Sequence, residues 1–433
     1  MRARAVAVAS LAFVLALACT KKNPKYCDAQ TPCATGTCDT GAHQCVANTD
    51  GGDAGADAGD AGDARDASDA TDASDASDVA PKCMASTQCA DGGADSGGPV
   101  CEVEAGLCVG CVVDSDCTPK KTAPICEAHV CRACKTDAEC PDPNICMTDG
   151  HCAAGDDVVF VEFKATGCPG ADGSSANPYC LPGDATPHLT SMRSILVIRG
   201  SANGQLVLTT SGVAPVVIGK PSASGVPASI PANASTAITV SSDSVLIRDL
   251  AIKSGSDPAS KGIAVSGNST ALKLVNVQVT LMTDGLGVQA SSSAQLTMDR
   301  CTVTNNPVGG LLINGAGYDI QNSIFGGNGY GVQFSTPKAP GPFRFNTVVG
   351  TVAAICDLAN GETLSDSIVV GPAPNCTLQE CITTMPTFSS SRPYHLTTKL
   401  ACPNADASAP PDHDVDGDPR TQPLDCGADQ FVP

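Results

Sequence analysis

From Asp157 onward the chain is a succession of short alternating apolar segments set among Ser, Thr, Gly and Asn, with no convincing amphipathic helix. Stacked on one another, the segments fall into register. Gly262, Gly285, Gly310 and Gly331 each precede an alternating strand: Ile263-Ala-Val265, Leu286-Gly-Val288, Leu311-Leu-Ile313 and Val332-Gln-Phe334, at spacings of 23, 25 and 21 residues. A second register follows, with Leu272-Lys-Leu274, Leu296-Thr-Met298, Tyr318-Asp-Ile320 and Phe343-Arg-Phe345. Between it and a third strand stand Asp249, Asn276, Arg300, Asn322, Asn346 and Asp366. Period-two alternation marks half-buried strands. Three per coil, with one corner tolerant of left-handed backbone, predict an all-β fold, a right-handed parallel β-helix of about 23 residues per coil. The corner residues Asp249, Asn276, Asn322, Asn346 and Asp366 are expected to form a hydrogen-bonded ladder, as stacked Asn side chains do in cross-β arrays. A β-sandwich would instead place strands about 8–12 residues apart.

These rungs, over residues 157–430, resemble the pectin lyase-like superfamily. Two end motifs add to the likeness. Gly167 to Cys180 (GCPGADGSSANPYC) resembles the Gly-Ser-Asn-Pro loop that opens many exported β-helix proteins. Asp416-Gly417-Asp418-Pro419-Arg420 followed by Asp425-Cys426-Gly427-Ala428-Asp429 resembles their closing signature, with Asp429 where Glu is usual. The resemblance implies a terminal cap that closes the exposed end of the coil, where an open edge would invite aggregation.

The other end of the chain reads as an export signal. Arg2 and Arg4 precede an uncharged apolar run from Ala5 to Ala18, too short for a membrane span, which needs about 20 residues. Residues 1–18 are the expected signal peptide. Leu15-Ala16-Leu17-Ala18-Cys19 resembles the lipobox of bacterial lipoproteins, with Ala16 where Leu is commonest. The resemblance implies acylation at Cys19, by palmitate or a similar chain, and anchoring to the outer membrane, on its periplasmic side or at the cell surface.

Export favours disulfides over thiols. Of 25 cysteines, sixteen fall into four units that each begin C-x5-C: Cys27, Cys33, Cys38, Cys45; Cys83, Cys89, Cys101, Cys108; Cys111, Cys117, Cys126, Cys131; and Cys134, Cys140, Cys146, Cys152. The first belongs to residues 19–45, and the other three form a repeat array over 83–152. Units so small and so poor in Leu, Ile and Phe need covalent staples. Four cysteines allow three pairings, so connectivity stays open. Cys108-x2-Cys111 and Cys131-x2-Cys134 mimic zinc-ribbon spacing, but they straddle joints between units and would leave Cys117 and Cys126 over. Stretches such as CVGCVVDSDC and CRACKTDAEC resemble the Dickkopf-type repeats of exported, myxobacterial-type lipoproteins, which implies a recognition or spacer module without catalysis. Eight further cysteines follow Cys152, among them Cys168, Cys180, Cys402 and Cys426. Their even number predicts full pairing.

Residues 46–82 form an Asp/Ala/Gly-rich linker. Ten Asp from Asp50 to Asp78 against Arg65 carry nine of the chain's twenty net negative charges. Self-repulsion with nothing to bury predicts a disordered tether spanning about 35 Å as a coil. The acidity also argues against nucleic acid as a partner.

Catalytic chemistry finds little support. The hydrolase motifs of the resembling family (Asn-Thr-Asp, Asp-Asp, Gly-His-Gly, Arg-Ile-Lys) are missing from the rungs, and His188, His395 and His413 lie outside the six regular coils. Alternation places Thr239, Ala264, Gly287, Leu312 and Gln333 outward on the first strand, followed by Ser241, Ser266, Gln289, Asn314 and Ser335, none ionisable. Asp299 and Arg300 are adjacent on one strand, so alternation sends their side chains apart. Phe325, Phe334, Phe343 and Phe345 read as interior stacking. Asp412, Asp414 and Asp416 mimic the first positions of a calcium loop, but Pro423 stands where its bidentate acid belongs. They are the candidate site for a structural calcium, and no other cofactor is indicated. The sequence reads as a membrane-anchored binding, adhesion or scaffold rod, with a glycan or a surface protein as partner. The alternative is an atypical or degenerate polysaccharide lyase or hydrolase.

Overall fold

The computed structural model describes residues 100–102, 104, 107–117 and 122–431, with gaps at 165–166, 234, 255–260, 281–284, 339, 360, 403–410 and 422–423, together with two short strands nearer the N-terminus. Cys19, Cys27, Cys33, Cys83, Cys89 and the acidic linker lie outside the described residues. The chain divides into two units, Met1–Asp78 and Val79–Pro433. In the first, Thr37–Asp39 and Gln44–Val46 form an antiparallel hairpin with Cys38 opposite Cys45.

The same hairpin recurs in each cysteine unit of the second. Cys101 faces Cys108, Cys126 faces Cys131, and Cys146 faces Cys152. The last two cysteines of these units therefore stand side by side, and in the third and fourth units each takes one of the first two as its partner. Cys111–Cys126 and Cys117–Cys131 staple the third unit, Cys134–Cys146 and Cys140–Cys152 the fourth, a first-to-third and second-to-fourth pairing in both. Cys101 and Cys108 are disulfide-bonded as well. Loops of 12 to 15 residues closed this way restrict the unfolded chain by about 3 kcal/mol each.

Beyond Asp157 the chain winds into a right-handed parallel β-helix. Sheet I has ten strands, from Val158–Glu162 to Thr377–Gln379; sheet II has seven, from Ser229–Ala232 to Ile368–Val370; sheet III has seven, from Leu206–Leu208 to Ala354–Ile355. Every pairing between coils is parallel. Alternation aims one column inward from each sheet. Ile263, Val265, Leu272, Leu274 and Val279 of one coil are buried beneath Val288, Ala290, Leu296, Met298 and Val303 of the next. Each such side chain contributes about 1.5–3 kcal/mol on burial.

Two register assignments from the sequence shift by two residues. In sheet III the aligned glycines are Gly262, Gly287, Gly310 and Gly331, so Gly287 replaces Gly285 and is buried, and Gln289 rather than Gly287 takes the outward place between Ala264 and Leu312. Space decides this register. A Cβ on Gly262, Gly287 or Gly310 would lie 2.5–2.6 Å from the carbonyl oxygen of the glycine one coil on. In sheet I, Phe343 pairs with Ile320 and not with Tyr318. Phe345 then takes the left-handed corner (φ 53°) that the sequence assigned to Asn346.

The corner column is therefore Asp249, Asn276, Arg300, Asn322, Phe345 and Asp366, all with φ between 50° and 59°. Asn276 Nδ2 donates to Asp249 Oδ1 at 2.8 Å, one rung of the expected ladder. Asn346 is instead the next residue, fully buried, in a second ladder that the sequence reading missed. Cys301 N donates to Ser323 Oγ (3.2 Å), Ser323 N to Asn346 Oδ1 (2.9 Å) and Asn346 N to Ser367 Oγ (3.0 Å). A third runs through Asn306 and Asn328, with Asn306 N donating to Asn328 Oδ1 at 2.9 Å.

Cys168–Cys180, Cys356–Cys376 and Cys402–Cys426 close loops around the helix, but Cys301 and Cys381 are free. Full pairing fails because Cys301 occupies the interior column between Val277 and Ser323, where it serves as a small apolar side chain and meets no second sulfur. Among the described residues no helix is long and apolar enough to cross a membrane.

Candidate functional site

Sheet III presents its outer face as rows set by the ladder. Thr239, Ala264, Gln289, Leu312 and Gln333 are in register, and so are Ser266, Ser291, Asn314 and Ser335. Ser291 thus replaces Gln289 in the second row. Adjacent coils lie about 4.8 Å apart, so the polar side chains of the second row repeat at that interval, while Ala264 and Leu312 alternate with the polar members of the first. No acid or base stands in these two rows; Lys261 begins its strand, in register with Thr236 and Leu286.

Charged groups collect on the outer face of sheet I and at the corner beside it. Asp299 and Arg300 are brought together rather than separated, with Arg300 Nε 3.3 Å from Asp299 Oδ2. The left-handed backbone at Arg300 ends the alternation, which turns the guanidinium back toward its neighbour. Asn322 Nδ2 donates to Asp299 Oδ1 at 3.0 Å. In sheet I, Asp319 is in register with Thr297, beside the Asp299–Gln321 pair. Its Oδ1 is buried without a hydrogen-bond partner, and burial raises its pKa, Arg344 opposing and Asp299 adding to the rise. Two carboxylates and a guanidinium therefore share one face.

The closing signature runs along the flank of the last coils. Val415 and Ala428 pack on outward Ile324, Ala428 N donates to Thr347 Oγ1, and Gly427 N to the Asp366 carbonyl. The expected closure of the coil's end is corrected in this respect, since Thr377–Gln379, the last strand of sheet I, is exposed along its length. Arg420 donates to Asn322 Oδ1 and to the carbonyls of Asp425, Gly427 and Ala428, and lies over Phe345, 4.9 Å from the ring centre. Phe345 thus belongs to this contact, while Phe325, Phe334 and Phe343 stack inside. Burial lowers the Arg420 pKa to about 10, against the pull of Asp414, Asp429 and Asp425.

Of the calcium-loop candidates, Asp414 is fully buried and accepts the N–H groups of Asp416, Asp418 and Gln430. Asp412 is exposed and Asp416 pairs with Arg392 at 2.7 Å. The three do not converge on one point. Asp416 faces His395 instead, and with Asp429 they place three ligand atoms within 4.8 Å of one another. His188 stacks on Tyr179 (4.9 Å), and His413 bridges to Pro419 through the backbone.

A cleft of about 520 Å³ lies between the fourth cysteine unit and the opening loop, lined by Asp142, Asp156, Phe160, Asp172 and Ser175 among others. Arg193 at its edge is committed to the carbonyls of Val158, Asp172 and Gly173. No family model, curated protein or solved structure matches this chain.

Proposed function

We propose that the protein is a cell-envelope lipoprotein, held at the outer membrane through acylated Cys19, whose β-helix acts as a non-catalytic binding, adhesion or scaffold rod on a flexible acidic tether. The observation that carries this reading is the outer face of sheet III. Its stacked neutral hydroxyls and amides suit repeated hydrogen bonding to a glycan or to a surface protein, and offer no group to move a proton. The disulfide-stapled units between tether and rod fit an oxidising compartment.

A second reading, an atypical polysaccharide lyase or hydrolase, draws on the meeting of Asp299 with Arg300 beside Asp319, whose buried Oδ1 has no hydrogen bond. One experiment separates the two. The oxidised ectodomain is incubated with a panel of uronate and neutral glycans, and both retention and released fragments are measured. Retention without fragments is expected. Fragment release that vanishes in Asp299→Ala or Arg300→Ala would reverse the ranking.

A further inference from the structure

We propose that His395, Asp416 and Asp429 form a site for a divalent transition-metal cation of the zinc type, which fastens the closing segment to the flank of the β-helix.

Three separate stretches supply the donors. His395 ends a turn in which Ser389 Oγ accepts the N–H groups of Ser391 and Arg392, and Tyr394 beside it packs against Gly326 of sheet II and edge-on against Phe388. The imidazole is thereby fixed before any ligand arrives. Its side chain is 14% exposed, and Nδ1 is buried without a hydrogen bond, 3.2 Å from Asp416 Oδ2 and 3.7 Å from Asp429 Oδ1. Ligands held about 2.0–2.2 Å from a tetrahedral zinc ion lie roughly 3.3 Å from one another, so these separations need only small adjustment. Asp429 Oδ2 accepts the Leu396 N–H, which holds the carboxylate and leaves Oδ1 turned to the histidine, in the manner of an outer-shell support.

One imidazole nitrogen with two carboxylate oxygens favours zinc or a neighbouring first-row cation over calcium, which takes oxygen donors alone. The local charge favours a cation in general. From Asp412 to Asp429 there are six carboxylates against Arg420. The cation's competitor is Arg392, whose largely exposed guanidinium pairs with Asp416 and has open solvent to move into.

The test uses the full ectodomain after dialysis against a chelator, titrated with zinc chloride and assayed for bound metal and for melting temperature. One equivalent of zinc and a raised melting temperature are expected. His395→Gln and Asp416→Asn should lose both while keeping the far-ultraviolet circular dichroism of the parent. Arg392→Ala, which removes the competing cation, should bind zinc up to about fivefold more tightly, the worth of an exposed ion pair. A parent that retains no zinc, or a His395→Gln variant that retains it in the same amount, overturns the proposal. Weaker binding in Arg392→Ala would overturn it as well, because the guanidinium would then be supporting the site.

Discussion

The carboxyl of Glu362 is fully buried, its Oε2 met by the hydroxyl of Tyr318 and its Oε1 without a partner. Burial raises its pKa, and the Tyr318 hydrogen bond only partly offsets the rise. The consequence for stability has a definite sign. Above the unfolded value of about 4.3 the unfolded chain gives up this proton while the folded chain keeps it, so stability falls as pH rises from there to the folded pKa. Glu362→Gln keeps the shape and removes the ionisation. Its melting temperature should exceed the parent's at pH 8, and the gap should close by pH 4. A gap independent of pH would show that Glu362 is ionised in the fold. The residue gave no signal in sequence, because a single Glu in a loop between strands reads as solvated, and only the stacking of coils shows that it faces Tyr318, 44 residues earlier in the chain.

At the scale of the coil, the test of register is a matched pair of substitutions. Ile313 is fully buried in its column, whereas Gln333 points outward from the next strand. Ile313→Asp should destabilise by about 3–5 kcal/mol and Gln333→Asp by little, read by denaturant unfolding. Comparable losses would mean that the inward and outward columns are misassigned. Much of this was legible in the chain. Alternating segments at a 21 to 25 residue spacing disclosed three strands per coil, and the corner could be located at Asp249, Asn276, Arg300, Asn322 and Asp366. What slipped was phase. A period of two repeats every second residue, so a strand displaced by two keeps its pattern of inward and outward positions. Leu286-Gly-Val288 and Phe343-Arg-Phe345 were both displaced in this way. The glycine column at Gly287 corrects the first, through a close approach of backbones that no hydropathy pattern reports. Asn306 and Asn328, one coil apart, do carry a usable signal, since Asn recurring at the coil spacing also marks the corner.

Over the molecule as a whole, the joint between cysteine array and β-helix decides whether these two parts of the second unit move as one body. The fourth unit carries Ile145, a large apolar residue in a module otherwise short of them, and the structure buries it completely against Phe160, Val197 and Ile218 on the outer side of sheet I. Asp137 locks the contact. Its carboxylate accepts Arg248 at 3.0 Å and the Cys146 N–H at 2.8 Å, and Lys220 stands 3.2 Å away. Burial works against its charge, but Arg248 and the Cys146 N–H outweigh it and hold the pKa below the usual carboxylate value. A lowered folded pKa means that this stabilisation is present above the unfolded value of about 3.9 and is lost as pH falls through the folded one. Neither partner cation could be foreseen, because Arg248 and Lys220 lie roughly 80 to 110 residues away in the chain. Asp137→Ala leaves the module's disulfides and the β-helix intact while removing the lock. Limited proteolysis at neutral pH should then cut the connecting segment from Ala153 to Asp157 several-fold faster than in the parent, with the melting temperature of the β-helix almost unchanged. The parent should approach the variant's cleavage rate when the assay is moved to acid pH with an acid-active protease. Equal rates at neutral pH would mean that Ile145 and its apolar neighbours fix the joint without the charges, and that the rod's orientation does not depend on Asp137.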